Sequence, residues 1–234
     1  MKKSFYYSLF FLCLFMFASC GGGKSESGSV DKADSEGIKE HEWVDLGLPS
    51  GTLWATENVG ASSPEDYREY FAWGETQANS IIYSFATYKW CEGNYNNLTK
   101  YCTDSGFGNV DNKTELDMED DAAYVNWGSE WRMPTKTQFD ELQAECNWQW
   151  TSMNGINGYL VTSKRNSASL FLPAAGYREG SSLYDAGSCG FYLSRTLDTD
   201  LQDSAYYLYF DSGHVKENLC IRSLGLSVRA VRVP

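Results

Sequence analysis

The chain is poor in the residues on which most catalytic and metal sites depend. It has two histidines, His41 and His214, among 234 residues, and it contains neither a CxxC pair nor a GxSxG motif. These absences disfavour zinc ribbons, thioredoxin-like domains and serine hydrolases. His214 follows Asp211 and Ser212 in the chain, but close neighbours in sequence seldom form a catalytic triad. We therefore expect a protein that is not an enzyme.

Basic residues are also scarce. The chain has 19 Lys and Arg against 31 Asp and Glu, which gives a formal net charge of −12 at pH 7. Proteins hold phosphate backbones with clustered Lys and Arg, so this balance disfavours nucleic acid as a partner. It also disfavours adsorption to anionic membrane surfaces, except through a lipid.

The apolar run at the N-terminus, residues 5–18, is shorter than the roughly 20 residues that a spanning helix requires. Two lysines precede it, and two small residues lead from it directly to Cys20. This pattern resembles a bacterial lipoprotein signal, which implies a signal peptide over 1–19 and a diacylglycerol on the Cys20 thiol. An ordinary signal peptide with a coincidental cysteine and an uncleaved anchor are the alternatives.

Residues 21–40 consist of glycine, serine and charged residues with almost nothing to bury. Such a segment cannot offset the entropy of its own ordering, so residues 20–40 are expected to be a lipidated cysteine and a flexible tether. Gly21, not Asp, follows the cysteine, which by analogy with lipoprotein sorting permits export to the outer membrane. We expect an outer-membrane lipoprotein exposed at the cell surface, with a single domain over 41–234.

The domain has the composition of short strands joined by turns, since aromatic residues make up 15% of the chain and glycines number 21. A helix start is predicted in 63–73, followed by a long irregular excursion over 77–115. The clearest helical region is 116–150, where three acids precede a short helix that stops at Gly128 and Thr135 caps a second helix.

From residue 151 the pattern changes to strands. Two Asn-Gly pairs, at 154–155 and 157–158, are turn signals. In the strand around 206–209 the residues alternate, so that one face is expected to be core and the other to present tyrosines. The apolar residues of 228–233 do not keep a period of two, which predicts a bulge or a sheet edge there.

Five cysteines lie in 41–234. Cys91 and Cys102 are close enough in sequence for a disulfide that would staple a loop, and the extracytoplasmic compartment permits one. The alternative is that all five are small hydrophobic core residues.

Paired acids at Asp120 and Asp121 are explained by the helix start that follows them. The calcium-loop spacing D-x-[DN]-x-[DN]-G does not occur around 111–121, and the Glu-Pro-Asn and Gln-Pro-Asp tripeptides of calcium-dependent lectins are absent. We expect no cofactor and no metal ligands, with a structural calcium ion left open.

Several stretches together resemble the Fibrobacter succinogenes major paralogous domain, a family of secreted bacterial domains. They include VDLGLPSGTLWATENVGA, YFAWGET, EDDAAYVNWGSEWRMPT, LFLPAAGYREGSSLYDAGSCGFYLS, AYYLYFDSG and SVRAVR. The resemblance covers residues 42–232. It implies an α+β, C-type-lectin-like fold of the formylglycine-generating-enzyme branch, with two main helices and a strand-rich C-terminal half whose last strand returns near the first.

The resemblance also implies that the ligand face is formed by the C-terminal region. The side chains that we expect there are Tyr177, Arg178, Tyr184, Arg195, Asp198, Asp211 and His214. The leading hypothesis is a lipid-anchored surface module, an adhesin or receptor for an extracellular glycan or protein. A structural or accessory envelope lipoprotein is the second. A formylglycine-generating enzyme is the third, disfavoured because the closely spaced C-terminal cysteines of that family are missing.

Overall fold

The computed structural model describes residues 41–78 and 81–232. The expected signal peptide (1–19) and the expected lipidated cysteine with its tether (20–40, including Cys20) lie outside the described residues. The described residues form one compact unit. Within the described ranges, no helix has the length and apolarity needed to span a membrane.

Two α-helices form where the sequence supplies capping residues. The Asp121 carboxylate accepts hydrogen bonds from two N–H groups in the first turn of α1, and Gly128, at φ 97°, follows its last residue. Thr135 forms a capping box with Gln138 at the start of α2. The predicted stop at Gly128 and cap at Thr135 are therefore confirmed. The bounds are a 3-10 turn at Met118–Asp120, α1 at Ala122–Trp127 and α2 at Lys136–Glu145.

Eleven strands are present among the described residues, and neighbouring strands pair antiparallel. They are β1 (Trp43–Asp45), β2 (Leu53–Asn58), β3 (Cys146–Met153), β4 (Ile156–Ser163), β5 (Ser169–Pro173), β6 (Tyr177–Glu179), β7 (Ser182–Tyr184), β8 (Gly190–Leu197), β9 (Ser204–Phe210), β10 (Val215–Ile221) and β11 (Arg229–Arg232). The sheets have the orders β1-β2-β11, β3-β4-β5 and β10-β9-β8, and β6 and β7 form a hairpin. The domain is thus α+β, with two helices and a strand-rich C-terminal half, as predicted.

The first and last strands of the domain share one sheet. Val44 of β1 and Val231 of β11 both pair with Trp54 of β2, whose side chain is fully buried. The register shifts between Arg229 and Val231, as at a β-bulge. The predicted irregularity of the last strand is confirmed.

The β3–β4 hairpin turns at Asn154 and Gly155, both with positive φ (49° and 84°), as a two-residue loop requires. The second Asn-Gly pair does not make a turn: Asn157 and Gly158 lie inside β4. A Cβ atom at Gly158 would lie 2.3 Å from the Leu172 carbonyl oxygen, so this glycine permits close strand packing. Strand β3 was not predicted, because the helical region was expected to continue to residue 150.

The helix predicted within 63–73 is absent, so that prediction was wrong. The Asp66 carboxylate accepts hydrogen bonds from the Ser62 N–H and the Ser62 hydroxyl. These bonds stabilise a local turn in place of the first turn of a helix. The chain then runs extended, and Phe71 pairs with Leu226. Pairing with a distant segment has prevailed over the local helix signal.

A buried arginine that directly follows β10 links the irregular excursion to the rest of the domain. Arg222 is fully buried, and its guanidinium donates to the carbonyl oxygens of Tyr101 (2.8 Å) and Gln202 and lies 5.3 Å from the Trp73 ring centroid. These contacts join three segments that are distant in the sequence. They replace the regular hydrogen bonding that this part of the chain lacks.

All five cysteines of the described residues are free thiols. Cys91 Sγ donates to the Phe85 carbonyl at 3.1 Å, and Cys102 Sγ donates to the Asp104 carbonyl at 3.1 Å. The structure therefore does not contain the disulfide suggested by their spacing, because the two thiols are engaged with different backbone groups. Both side chains are buried in the same small core cluster.

Asp121 offers a direct test of this architecture, because its fully buried carboxylate also accepts the Met133 N–H at 2.9 Å and lies 3.9 Å from Arg195 Nη1. We expect Asp121→Ala to lower the free energy of unfolding by about 3 kcal/mol, since it leaves buried donors unpaired. The measurement is urea denaturation. Glu119→Ala, at a side chain that is 76% exposed, is the control. Equal effects of the two substitutions would contradict the assigned role.

Candidate functional site

The β6–β7 hairpin is held against the body of the domain on both sides. Gly176 N–H donates to the Cys189 carbonyl at 2.8 Å, and Arg178 exchanges two backbone hydrogen bonds with Gly225. Gly176 has φ 66°, and a Cβ atom there would lie 2.0 Å from the Tyr184 carbonyl oxygen. Only glycine therefore allows the chain entering β6 to pass this close to the backbone at the end of β7.

Five aromatic rings come together where this hairpin meets the β8–β9–β10 sheet, and we call them the aromatic face. The Tyr177 ring stacks on Tyr184 with centroids 5.5 Å apart and lies 4.9 Å from Phe191. Phe191 lies 5.6 Å from Tyr207 and 5.4 Å from Tyr209. Tyr184 is 44% exposed and Tyr207 only 6%, so the rings pass gradually from solvent into the core.

The register of the sheet explains why these rings share one side. Phe191, Tyr209 and Lys216 are directly opposite one another on β8, β9 and β10, so their side chains point to the same face. The alternate residues of β9, Leu208 and Phe210, are fully buried on the other face. The predicted division of this strand is confirmed in part: Leu208 is core and Tyr209 is half-buried on the opposite face. Tyr207, expected to be presented beside Tyr209, is only 6% exposed, and Tyr206, expected on the core face, is half-buried.

A tight turn beyond β9 positions the polar end of the aromatic face. The Asp211 carboxylate accepts hydrogen bonds from the Gly213 N–H (2.8 Å), the His214 N–H (2.9 Å) and the Tyr209 hydroxyl (3.0 Å). These donors, the Gly213 N–H first among them, lower the pKa of Asp211 to about 2. His214 Nδ1 lies 3.0 Å from the same carboxylate, and the His214 side chain is 76% exposed.

Tyr209 links this turn to a thiol. Its hydroxyl lies 3.6 Å from Cys189 Sγ and donates to Asp211. The hydrogen bond with Cys189, burial and Asp211 together raise the pKa of Tyr209 well above its usual range. The Tyr209 hydroxyl is thus held in place as a hydrogen-bond donor to Asp211.

Three of the seven expected ligand residues do not contribute to the aromatic face: two are buried in the domain, and one lies on the opposite face of the β6–β7 hairpin. Arg195 is 7% exposed and donates to the Leu116 carbonyl, and Asp198 is 5% exposed and caps a turn through the Leu201 N–H at 2.6 Å. The guanidinium of Arg178 lies 5.1 Å from the Tyr70 ring, on the face of the hairpin away from Tyr177. Burial removes Arg195 and Asp198 from the exposed surface on which they were expected.

The remaining four residues meet at the aromatic face: Tyr177, Tyr184, Asp211 and His214. Phe191 and Lys216 also contribute there and were not predicted. The sequence signal for them was the strand alternation of GFYLSR and VKEN, but it becomes informative only when the pairing of β8 and β10 with β9 is known.

The described residues show one candidate metal-binding group, an acidic cluster of Asp117, Glu119 and Asp120. Lysine side chains form ion pairs with these carboxylates. Asp117 and Asp120 each lie 2.6 Å from Lys100 Nζ, and Lys89 Nζ lies 3.2 Å from Asp120. Hydrogen bonds from Lys100 and Lys113 lower the pKa of Asp117. A calcium ion here would have to displace the Lys100 ammonium, so the cluster is better described as an ion-pair network.

Two clefts lie elsewhere on the surface. One of 380 Å³ is lined by Glu65, Tyr67, Arg68, Asn154 and Ile156 among others, and one of 340 Å³ is lined by Glu75, Thr76, Gln77, Thr87 and Lys89. In each, a carboxylate is already bonded: Glu65 accepts from the Asn154 amide at 2.7 Å, and Glu75 accepts from the Lys89 N–H at 2.8 Å.

Comparisons of the chain with protein-family models, with curated proteins and with solved structures found no match.

The Asp211 turn predicts a specific pH dependence. Because the pKa of Asp211 is depressed in the fold, its contribution to stability is complete above the ordinary pKa of an aspartate, about 3.9, and is lost as the pH falls toward about 2. Carboxyl carbon NMR of Asp211 should show a midpoint near 2, with the Tyr209 and His214 amide signals moving in step. In His214→Ala the midpoint should stay low, since the Gly213 N–H still donates. A midpoint at the ordinary value would show that the turn does not form.

Proposed function

We propose that this protein is a non-catalytic binding module carried on the bacterial surface by a lipid, an adhesin or receptor for an extracellular glycan or protein. The aromatic face is the observation that supports the proposal. Aromatic side chains dominate the energetics of binding hot spots, and rigid rings add contact area with little loss of conformational entropy. The hairpin bonds and the Asp211 turn hold these rings in place before any ligand arrives.

We propose further that the domain belongs to the Fibrobacter succinogenes major paralogous domain family and has its C-type-lectin-like fold. The motifs quoted above support the family. The α+β architecture, the pairing of β11 with β2 and the two helices are compatible with that fold. In this proposal the ligand face at the C-terminal half corresponds to the aromatic face.

The lipid anchor is a separate part of the proposal, and it is supported by the sequence around Cys20. In the native bacterium, the mature protein should carry the mass of a diacylglycerol, and Cys20→Ser should remove that mass because the acylated thiol is lost. Intact-mass measurement of the purified protein checks this. A parent chain whose mass shows no acyl group would contradict lipidation at this cysteine.

Binding itself is tested by screening the full chain, solubilised in detergent, on an array of glycans and matrix proteins, with and without EDTA. Tyr184→Ala should weaken any specific binding by about tenfold or more, since it removes the most exposed ring of the aromatic face. Tyr95→Ala, at a tyrosine that is 47% exposed but lies elsewhere, is the matched control.

Equal losses for Tyr184→Ala and Tyr95→Ala would place the binding outside the aromatic face. A well-folded sample that binds nothing would favour the second hypothesis, a structural or accessory envelope lipoprotein. Loss of binding with EDTA would show that a metal ion participates.

A further inference from the structure

Cations stack on tyrosine rings at several places in this domain. Such contacts are favourable because the ring face carries partial negative charge, and they strengthen when the cation loses water. The distances from the cation to the ring centroid are 5.1 Å for Arg178 on Tyr70, 5.4 Å for Lys136 on Tyr206 and 5.4 Å for Lys216 on Tyr209. Among the described residues, no lysine or arginine stacks in this way on Tyr177 or Tyr184.

Two carboxylates nevertheless belong to the same hairpin region as the Tyr177–Tyr184 pair. Glu179 follows Tyr177 by two residues on β6, so its side chain is on the same face of the hairpin, and Asp185 directly follows Tyr184. Both carboxylates are exposed. Burial, followed by the charges of Glu179 and Asp185, raises the pKa of Tyr177, which is consistent with carboxylates close to its ring.

The other charged groups beside the aromatic face are Asp211 and Lys216. Asp211, with its pKa of about 2, is ionised at neutral pH. Lys216 is the opposing positive charge, but its ammonium lies over Tyr209 and not over the Tyr177–Tyr184 pair. The guanidinium of Arg178 is on the far side of the hairpin. The charged groups around the aromatic face are therefore three carboxylates and one lysine, on a chain with a net charge of −12.

From these contacts and charges we propose that the aromatic face receives a basic segment of a partner protein, with an arginine or lysine side chain seated on the Tyr177–Tyr184 pair between Glu179 and Asp185. The inference rests on the proposed binding function and names the class of its ligand. An arginine fits best, because its planar guanidinium stacks on a ring and can donate to carboxylates at the same time. Sulfated or sialylated glycans would be repelled by the same carboxylates.

Three probes test the charge preference at physiological ionic strength: a hexa-arginine peptide, a hexa-glutamate peptide and the neutral sugar cellohexaose. The full chain in detergent is used for titration calorimetry. We expect hexa-arginine to bind and the other two probes not to bind. Tyr184→Ala should weaken hexa-arginine binding by at least tenfold, and the double variant Glu179→Gln, Asp185→Asn should do the same.

Matched controls separate this site from the general negative charge of the chain. Glu119→Gln with Glu92→Gln removes two exposed carboxylates elsewhere, and Tyr95→Ala removes an exposed ring elsewhere. Both should leave hexa-arginine affinity within about twofold of the parent chain. Controls that weaken binding as much as the site variants would overturn the inference, since general electrostatic attraction would then account for the binding.

Two further outcomes distinguish the ligand class from the function. If an array ligand is neutral or acidic and its binding depends on Tyr184 but not on Glu179 and Asp185, the basic-segment inference is overturned and the binding function stands. If neither the array nor hexa-arginine gives a signal with folded protein, both proposals fail together.

Discussion

The fold depends on buried charged groups that bond to the backbone of several different segments. Arg222 and Arg229 are completely buried, and most of their contacts are with backbone carbonyl oxygens of distant residues. Asp121 is a buried acceptor instead of a buried donor: its carboxylate accepts hydrogen bonds from three backbone N–H groups and lies 3.9 Å from Arg195 Nη1. Because each group would be costly to bury without its partners, the irregular excursion and the strands are stable only together.

This constraint explains how a chain with short strands can present a fixed surface. The backbone of the β6–β7 hairpin bonds to residues 83, 189 and 225, so its position depends on three different parts of the domain. Because the hairpin backbone is held in this way, Tyr177 and Tyr184 have fixed positions. The Asp211 turn fixes the Tyr209 ring through its hydroxyl. A surface that is ordered in advance loses less entropy when it binds.

Local signals in the sequence predicted local structure well. The caps of α1 and α2, the turn at Asn154–Gly155 and the irregular last strand all depend on neighbouring residues, and each was predicted. The failures depend on distant partners. The 63–73 segment pairs with residues near 226 instead of forming a helix, and Arg195 is buried because Asp121 and Leu116 lie beside it. The aromatic face was half predicted, since the alternation of β9 indicated Tyr207 and Tyr209 but Phe191 required the strand register.

The central claim is that the aromatic face is where this protein meets its ligand. Hydrogen exchange of the full chain, with and without a ligand selected on the array, tests it most directly. The account predicts increased protection in residues 176–185 and 207–216, with little change around the clefts near residues 63–68 and 75–89. Protection confined to either cleft, with the aromatic face unchanged, would contradict the account.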